Sequence, residues 1–413
     1  MLGAGTVGGA VVEALLAYPE RLATGDGRSI ALVAVAVRDI AKAAANGVVP
    51  ADLLTDAPAH LVADPENDVI VEVMGGDEPA RTLIAAALGA GKPVVTANKH
   101  VLAHHGPDLE AAARQTGAAL RFEAAVGGGI PVLGPLAADL AGNRVMRVRG
   151  IVNGTTNYIL SAMTEDGRPY DEVLIDAQDL GYAEADPTSD VEGDDAVNKL
   201  VILARLAFGL WLDPATVGRR PPTARGDGRP GITGVTDLEI EGAAALGLTI
   251  KLLATATRRD DGIEAAVIPT AVPSDSPFGW TNGITNRVEI EAEPLGTVGL
   301  SGPCAGGAAT SSAVLGDLVA IARGQGSTWA GLTPAAGPAT PAVDPLDGRR
   351  HWYAFVPAVR EGELPTALDE AAAVEFEDGT AIRSEVVTLA EAKAAFRAVL
   401  PDGVDVTLYP VDD

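Results

Sequence analysis

Cysteine is nearly absent from this chain. The single Cys304 in 413 residues excludes an internal disulfide framework and a multi-cysteine zinc site. Aromatic residues make up only 4% of the chain, yet 47% is hydrophobic, so aliphatic side chains supply enough material for a large core. Positive charge is also short. Thirty basic against 56 acidic side chains leave a net charge of −26, a field that repels nucleic acid and anionic membranes and argues against either as a partner. No apolar run approaches a membrane span; the longest, Ile30–Val37, suits a strand. The N-terminus has no basic stretch ahead of an apolar run, so nothing reads as a secretion signal and a cytoplasmic location is expected. Lysine is limited to Lys42, Lys92, Lys99, Lys199, Lys251 and Lys393. An acidic, lysine-poor surface suits a high-salt cytoplasm, where ions screen self-repulsion, as well as an ordinary one.

What the chain does have begins at once. Gly3-Ala4-Gly5-Thr6-Val7-Gly8 fits G-x-G-x-x-G, and Gly9–Tyr18 carries apolar residues at helical spacing up to Pro19. In a dinucleotide fingerprint one glycine makes the tight turn, one lets backbone approach the pyrophosphate, and one allows close helix packing. The helix N-terminus then presents N–H groups and a positive dipole to phosphate. Ile30–Val37, Val69–Val73 and Pro93–Thr96 read as buried strands, with a helix over Glu78–Leu88. This alternation predicts an α/β, doubly wound parallel sheet of the Rossmann-like kind. Only Met1 and Leu2 precede Gly3, where about five strand residues are usual; a native start upstream, or a truncated chain, is the expectation. At the end of the second strand Val37-Arg38-Asp39 puts Arg38 where a cation meets the 2′-phosphate of NADP, with Lys42 one turn later. NADP is expected ahead of NAD; an ordinary surface Arg-Asp pair is the plainer reading of the same residues.

Four later segments occur in order: Thr96–Lys99 (TANK), Phe122–Pro131 (FEAAVGGGIP), Gly150–Leu160 (GIVNGTTNYIL) and Gly181–Leu200, with its acids at Glu184, Asp186, Asp190, Glu192, Asp194 and Asp195. They are joined by Gly231–Ala254 and by Gly302-Pro303-Cys304-Ala305-Gly306-Gly307. With the fingerprint, these closely resemble homoserine dehydrogenase over Gly3 to about Arg323. The resemblance implies NAD(P)-dependent interconversion of L-homoserine and L-aspartate 4-semialdehyde, on the route to threonine, methionine and isoleucine.

The resemblance also assigns roles. Lys199 is then the proton donor and acceptor, and Lys99 contacts cofactor and substrate. A free lysine titrates near 10.4, so its pKa must fall for efficient proton exchange at neutral pH. Glu184 and Asp195 bind homoserine. Asp195 and Lys199 are four residues apart in a helical run, Asp195–Arg205, and can pair. Asp190 joins the substrate set, although it and Asp186 fit turn or cap roles equally well. Glu192 and Asp194 read as a solvated acidic turn. The cofactor set is Gly3, Gly5, Thr6, Val7, Gly8, Arg38, Gly75, Thr96, Lys99 and Gly302. Glu123 with the backbones of Val126, Gly128 and Ile130 would hold sodium or another monovalent cation, since hard cations prefer oxygen ligands; an interdomain hinge is the bland alternative for that glycine-rich stretch. Asn153–Tyr158 is expected to position rather than catalyse, with Thr155 or Thr156 capping a helix over Ile159–Met163. Cys304 stands where the family is expected to have glycine. It reads as an inert apolar residue that crowds the cofactor's approach. His100, His104 and His105 read as a solvated helix end rather than a metal site.

Beyond Leu332–Pro345, which reads as a linker, the pattern resumes: strand His351–Val359, helix Thr366–Ala373, strands Val374–Glu377 and Ala381–Val387 around Asp378-Gly379, helix Leu389–Leu400, strand Val404–Pro410. That order, βαββαβ, is ferredoxin-like. Many bacterial members carry a threonine-sensing ACT domain there. No Pro-Gly turn opens the first helix here, so an architectural or oligomerising role competes with threonine feedback. The expected organisation is an NAD(P)-binding domain (1–127), an α+β substrate and dimerisation domain (128–309), a return helix and linker (310–345) and an ACT-like domain (346–413). The helix Thr310–Arg323 is expected to rejoin the first domain. The partners expected are a small-molecule substrate and a second copy, in a homodimer or homotetramer. The competing readings are another NAD(P)-dependent oxidoreductase on the same frame, or a non-catalytic NADP-sensing protein.

Overall fold

The computed structural model describes residues 1–22, 27–304, 306–329, 331–335, 337–343, 346–360 and 372–412. The chain divides into two compact units. The first comprises Met1–Val148, Asn198–Ala215 and Val288–Pro341, and the second Arg149–Val197, Thr216–Arg287 and Ala342–Asp413.

The first unit is built on parallel pairing. Strand Val35–Ala36 pairs with Leu54–Thr55, and Ile70–Glu72 with Val94–Thr96, which pairs in turn with Leu120–Arg121. Leu2 joins the two halves, bridging in parallel to both Ala36 and Glu72. Its N–H donates to Val71 O at 2.7 Å, and Val73 N–H returns to Leu2 O at 2.9 Å; on the other side Gly3 N–H donates to Ala36 O at 2.9 Å. Counted along the chain, the order is 3-2-1-4-5-6, the dinucleotide-binding order. One residue, fully buried, thus occupies the central strand position. The expected strand Ile30–Val37 is corrected to Val35–Ala36. Ala34 O accepts from the Met1 ammonium at 2.7 Å, and residues 28–34 border, with Asp68–Val71, a groove of about 590 Å³. An isolated strand has no ladder to hold it, so apolar pattern alone does not extend one.

The helices match the pattern more closely. Thr6–Ala17 follows the fingerprint, Ala80–Gly89 overlaps most of the expected Glu78–Leu88, and Gly307–Ala322 overlaps most of the expected Thr310–Arg323. Val11, Val12 and Leu15 share one core cluster with Val314 and Leu318, so the late helix packs in this unit. Lys99–Thr116 carries Glu110, whose carboxylate is buried and accepts from Arg205 Nε (2.8 Å) and Nη2 (2.7 Å), Trp211 Nε1 (2.8 Å) and Arg114 Nε (2.9 Å). Burial alone would raise this carboxyl, but those donors together hold it below the usual range. Arg205 and Arg114 also donate to Thr333 O and Leu332 O. The first part of the expected linker is therefore pinned to this unit, because its carbonyls complete a buried charge network.

In the second unit the hairpin Leu248–Arg258 and Ile263–Pro273 runs antiparallel in continuous register from Leu248↔Pro273 to Arg258↔Ile263. The helices Gly154–Asp166, Tyr170–Asp179 and Asp237–Ala245 belong to it, the last opened by a Thr236/Glu239 capping box. The tail forms an antiparallel sheet in spatial order Ala372–Glu375, Gly379–Arg383, Trp352–Pro357, Tyr409–Pro410. By chain position that is 2-3-1-4. Helix Leu389–Val399 places Ala392 and Phe396 in a core with Trp352, Ala354, Val356 and Ile382. The helix expected over Thr366–Ala373 lies mostly outside the described residues. Three tail strands need correction. The hairpin sits two or more residues earlier than expected, its turn closed by Phe376 N–H to Gly379 O at 2.7 Å. The last strand is only Tyr409–Pro410, because Val406 and Leu408 bond instead to Ala224 and Pro222.

Candidate active site

The fingerprint glycines occupy three different environments in the first unit. A Cβ on Gly3, at φ 100°, would lie 2.8 Å from Val73 O, and one on Gly8 would lie 2.4 Å from Gly3 O; both positions exclude side chains. A Cβ on Gly5 would meet nothing within 4 Å, so the backbone at the helix N-terminus borders open space. Tight turn, close packing and an open backbone edge are thus divided among the three. Arg38 is exposed beyond strand Val35–Ala36. Asp39 has a local duty: its Oδ1 accepts from Lys42 N–H at 2.9 Å and caps helix Ile40–Asn46.

The carboxyl ends of the next two strands are bound together by a buried chain. Thr96 Oγ1 donates to Glu72 Oε2 at 2.6 Å, and Glu72 Oε1 accepts from Met74 N–H at 2.8 Å. Asn98 N–H donates to Thr96 Oγ1 at 2.9 Å, and its Nδ2 donates to Gly76 O at 2.8 Å. Gly75 and Gly76 both hold positive φ (72° and 74°), which lets the loop turn over these strand ends. Lys99 is the first residue of the helix capped by Asn98, half-buried at the sheet's carboxyl edge, where α/β sheets bind ligands. Sequence reasoning missed Glu72. Its signal was a carboxylate inside the apolar run Val69–Val73.

Lys199 lies on the helix Asp194–Phe208 and is only 8% exposed. Its Nζ is 4.0 Å from Cys304 Sγ. The Cys304 backbone is pressed against Gly128, where a Cβ would come within 1.8 Å of Cys304 O, and Gly129 N–H donates to Pro303 O. The strand end at Gly302–Cys304 is therefore packed against the Gly127–Gly129 turn. His105 Nε2 sits 2.9 Å from Asp77 Oδ1. Burial holds the His104 ring below its usual pKa, helped by His100 and His105 and opposed by Asp77.

Glu123 caps helix Leu133–Ala137. Oε1 accepts from Val132 and Leu133 N–H at 2.8 Å each, and Oε2 from Gly134 N–H at 2.7 Å. Burial raises this carboxyl and the three N–H groups oppose the rise. The Gly127 carbonyl takes Ile130 N–H, while among the described residues no backbone N–H reaches the carbonyls of Val126, Gly128 or Ile130.

The acids of the substrate set belong to the second unit, and Asn153 gathers two of them. Its Nδ2 donates to Asp190 Oδ1 at 2.7 Å and to Asp195 Oδ2 at 2.8 Å, with Asp195 96% buried. Asn153 Oδ1 accepts Thr156 N–H at 2.8 Å, so Asn153, rather than Thr155 or Thr156, caps the helix, which runs over Gly154–Asp166. An amide both accepts and donates; a threonine hydroxyl cannot cap and bridge two carboxylates at once. Thr155 Oγ1 donates to Tyr182 O at 2.6 Å, tying this helix to the Glu184 loop. Glu184 is exposed. Asp186 takes the turn role, accepting from Thr188 N–H and Oγ1, which holds its carboxyl below the usual range. Asp194 pairs with Arg219.

Lys251, Asn157 and Ser161 also come together, which sequence reasoning did not anticipate. The fully buried Lys251 Nζ lies within hydrogen-bonding distance of Thr281 O (2.9 Å), Asn282 Oδ1 (2.8 Å), Asn157 Oδ1 and Ser161 Oγ (3.2 Å each), which share its three N–H groups. The available signal was a lysine in the apolar run Leu248–Ala254.

Comparison with known proteins identifies the family and supports the fold. Residues 131–319 match the family model for homoserine dehydrogenase, and residues 3–123 match that for the homoserine dehydrogenase NAD-binding domain. A homoserine dehydrogenase of Mycobacterium tuberculosis (strain ATCC 25618 / H37Rv) is 47% identical over 328 residues, 78% of this chain and 71% of the relative. One from Synechocystis sp. is 42% identical over 362 residues, 86% and 77% of the two chains. Among solved structures, a homoserine dehydrogenase from Thiobacillus denitrificans matches with TM-score 0.89 and 35% identity, covering 100% of this chain and 97% of that one. A hyperthermophilic archaeal homoserine dehydrogenase in complex with NADPH matches at TM-score 0.65 and 28% identity, covering 78% and 96%. Among the described residues no helix is long and apolar enough to cross a membrane.

Proposed function

The chain belongs to the homoserine dehydrogenase family, and from that premise we propose how its residues interconvert L-homoserine and L-aspartate 4-semialdehyde. It is an NAD(P)-dependent oxidoreductase of amino-acid biosynthesis, acting on a CH–OH group. A bound nicotinamide supplies or accepts the hydride. Gly3, Gly5, Thr6, Val7 and Gly8 receive the pyrophosphate at the helix N-terminus, an assignment supported by the open space at Gly5. Gly75, Thr96, Lys99 and Gly302 border the remainder of the cofactor. Arg38 meets a 2′-phosphate and favours NADP over NAD. In support, the neighbouring Asp39 is engaged as a helix cap rather than offered to a ribose.

Lys199 moves the proton. In the oxidative direction its neutral amine takes the hydroxyl proton of homoserine as the hydride leaves the adjoining carbon. In the reductive direction its ammonium returns that proton to the aldehyde oxygen. Lys99 orients the substrate's oxygen. Asp195, Asp190 and Glu184 receive the α-ammonium, whose charge their carboxylates match. One observation carries this reading: Asn153 fixes the carboxylates of Asp190 and Asp195 on a single amide. Glu123 and the carbonyls of Val126, Gly128 and Ile130 hold a monovalent cation, sodium in the first instance, that braces this turn; that no backbone N–H among the described residues reaches those carbonyls supports the choice.

The division into domains 1–127, 128–309, 310–345 and 346–413 goes with the same reading. The 2-3-1-4 strand order of the tail supports a ferredoxin-like, ACT-like domain with an architectural role in a homodimer or homotetramer. A cytoplasmic location follows from the pathway. The test is NADPH and NADH oxidation driven by aspartate 4-semialdehyde, with wild type and Lys199→Ala. Loss of roughly 10²–10⁴-fold in kcat with NADPH binding retained is expected. Undiminished turnover by Lys199→Ala, or equal turnover of unrelated aldehydes, would sink the assignment.

A further inference from the structure

We propose that Lys251 is a positioning residue for the amino-acid end of the substrate, holding helix Gly154–Asp166 in the register at which Asn153 gathers Asp190 and Asp195. The proposal rests on the reading of those acids as the substrate set.

The clamp has three parts. Lys251 lies on a strand whose residues Leu248–Ala254 are all buried, and its ammonium reaches the helix at two positions one turn apart, Asn157 and Ser161. The same ammonium reaches the segment between strands Ile263–Pro273 and Thr285–Glu293 at Thr281 O and Asn282 Oδ1. Helix and segment are also joined directly. Asn157 Nδ2 donates to Thr281 O (3.1 Å), Gly283 O (2.9 Å) and Thr285 O (3.0 Å), and Gly283 N–H donates to Ser161 Oγ at 3.2 Å. One turn before Asn157, Asn153 O accepts Asn157 N–H. A shift of the helix along its axis would break the clamp and move the Asn153 amide away from both carboxylates.

Packing alone does not explain a lysine here. A buried ammonium is costly, and an aliphatic residue would fill an all-buried strand position without that cost. What the ammonium adds is direction, with four oxygens within 3.2 Å of one nitrogen. All four belong to neutral groups. The charge acting on it is Glu165, one turn beyond Ser161, which accepts from Asn282 Nδ2 at 3.3 Å. Burial lowers the Lys251 pKa to about 8, against the pull of Glu165. Deprotonation removes the charge and one N–H donor, so the clamp weakens as pH rises through about 8.

The test is steady-state oxidation of homoserine from pH 7 to 9.5 by wild type, Lys251→Met and Asn282→Ala, with KM measured for homoserine and NADP separately. At pH 7, Lys251→Met is expected to raise the homoserine KM about tenfold, as loss of a charged hydrogen-bond donor implies, with the NADP KM within about twofold. Asn282→Ala, at an exposed position, is expected to raise it about threefold. Wild type should show an additional rise in homoserine KM above pH 8 that Lys251→Met lacks. An unchanged homoserine KM in Asn282→Ala, an equal rise in both KM values, or the same pH profile in wild type and Lys251→Met would overturn the proposal. If Lys251→Met fails to fold, the Asn282→Ala arm decides. Wild type without homoserine-dependent NADPH production would instead sink the functional reading itself.

Discussion

Lys199 Nζ and Cys304 Sγ lie 4.0 Å apart, with both side chains buried. A small side chain at position 304 thus borders the amine assigned to proton transfer, and the Cys304 backbone is packed against Gly128. Cys304→Ala is expected to keep kcat/KM within about fivefold. Cys304→Leu should lower it roughly 10²-fold by displacing the lysine by an ångström or so. Equal activity of the two variants would show that the contact is irrelevant to turnover.

Asn153→Ala removes the cap of helix Gly154–Asp166 and both carboxylate contacts together. The lost cap costs about 1 kcal/mol, and each bond to a charged group roughly 1.5–3 kcal/mol. Urea unfolding should show a loss of about 3 kcal/mol or more, accompanied by a raised homoserine KM. A stability loss with an unchanged KM would separate the cap from the substrate site.

Arg38→Ser tests cofactor choice. Loss of one charge-assisted contact should raise the NADPH KM about tenfold while leaving that for NADH within twofold. If both rise together, or neither moves, Arg38 does not meet a 2′-phosphate.

Glu110 makes a prediction about stability. Glu110→Gln leaves Arg205 buried beside a neutral partner, and the expected loss is about 3–5 kcal/mol at pH 7. Because the folded carboxyl is held below its usual range, its stabilising contribution is complete above the unfolded pKa of about 4.3. That contribution is lost as pH falls through the lowered folded value. Stability curves of wild type and Glu110→Gln should therefore converge in acid; a constant gap down to pH 2 would contradict the network described.

Residues that act through local chemistry were legible in the sequence. The fingerprint announced its helix through the apolar spacing that follows it, and the acids of Gly181–Leu200 were picked out through the family resemblance. The sheet's strands at Val94–Thr96 and Ile70–Glu72 followed from short buried runs. Strand Val35–Ala36 did not, because a ladder depends on what lies beside it, here Leu54–Thr55 on one side and Leu2 on the other. Asn153 was seen as a polar residue near a helix start, but its two carboxylate partners lie 37 and 42 residues away. Glu72 and Lys251 were each visible as a charge in an apolar strand, a costly placement whose reason resides wholly in distant oxygens and hydroxyls. By itself the sequence determined the family, the nucleotide turn and the kinds of groups available for proton transfer and ammonium binding. Only the tertiary structure decided which amide holds which acid and which lysine serves as clamp, because hydrogen bonds are directional over about 3 Å and separation along the chain carries no information at that scale.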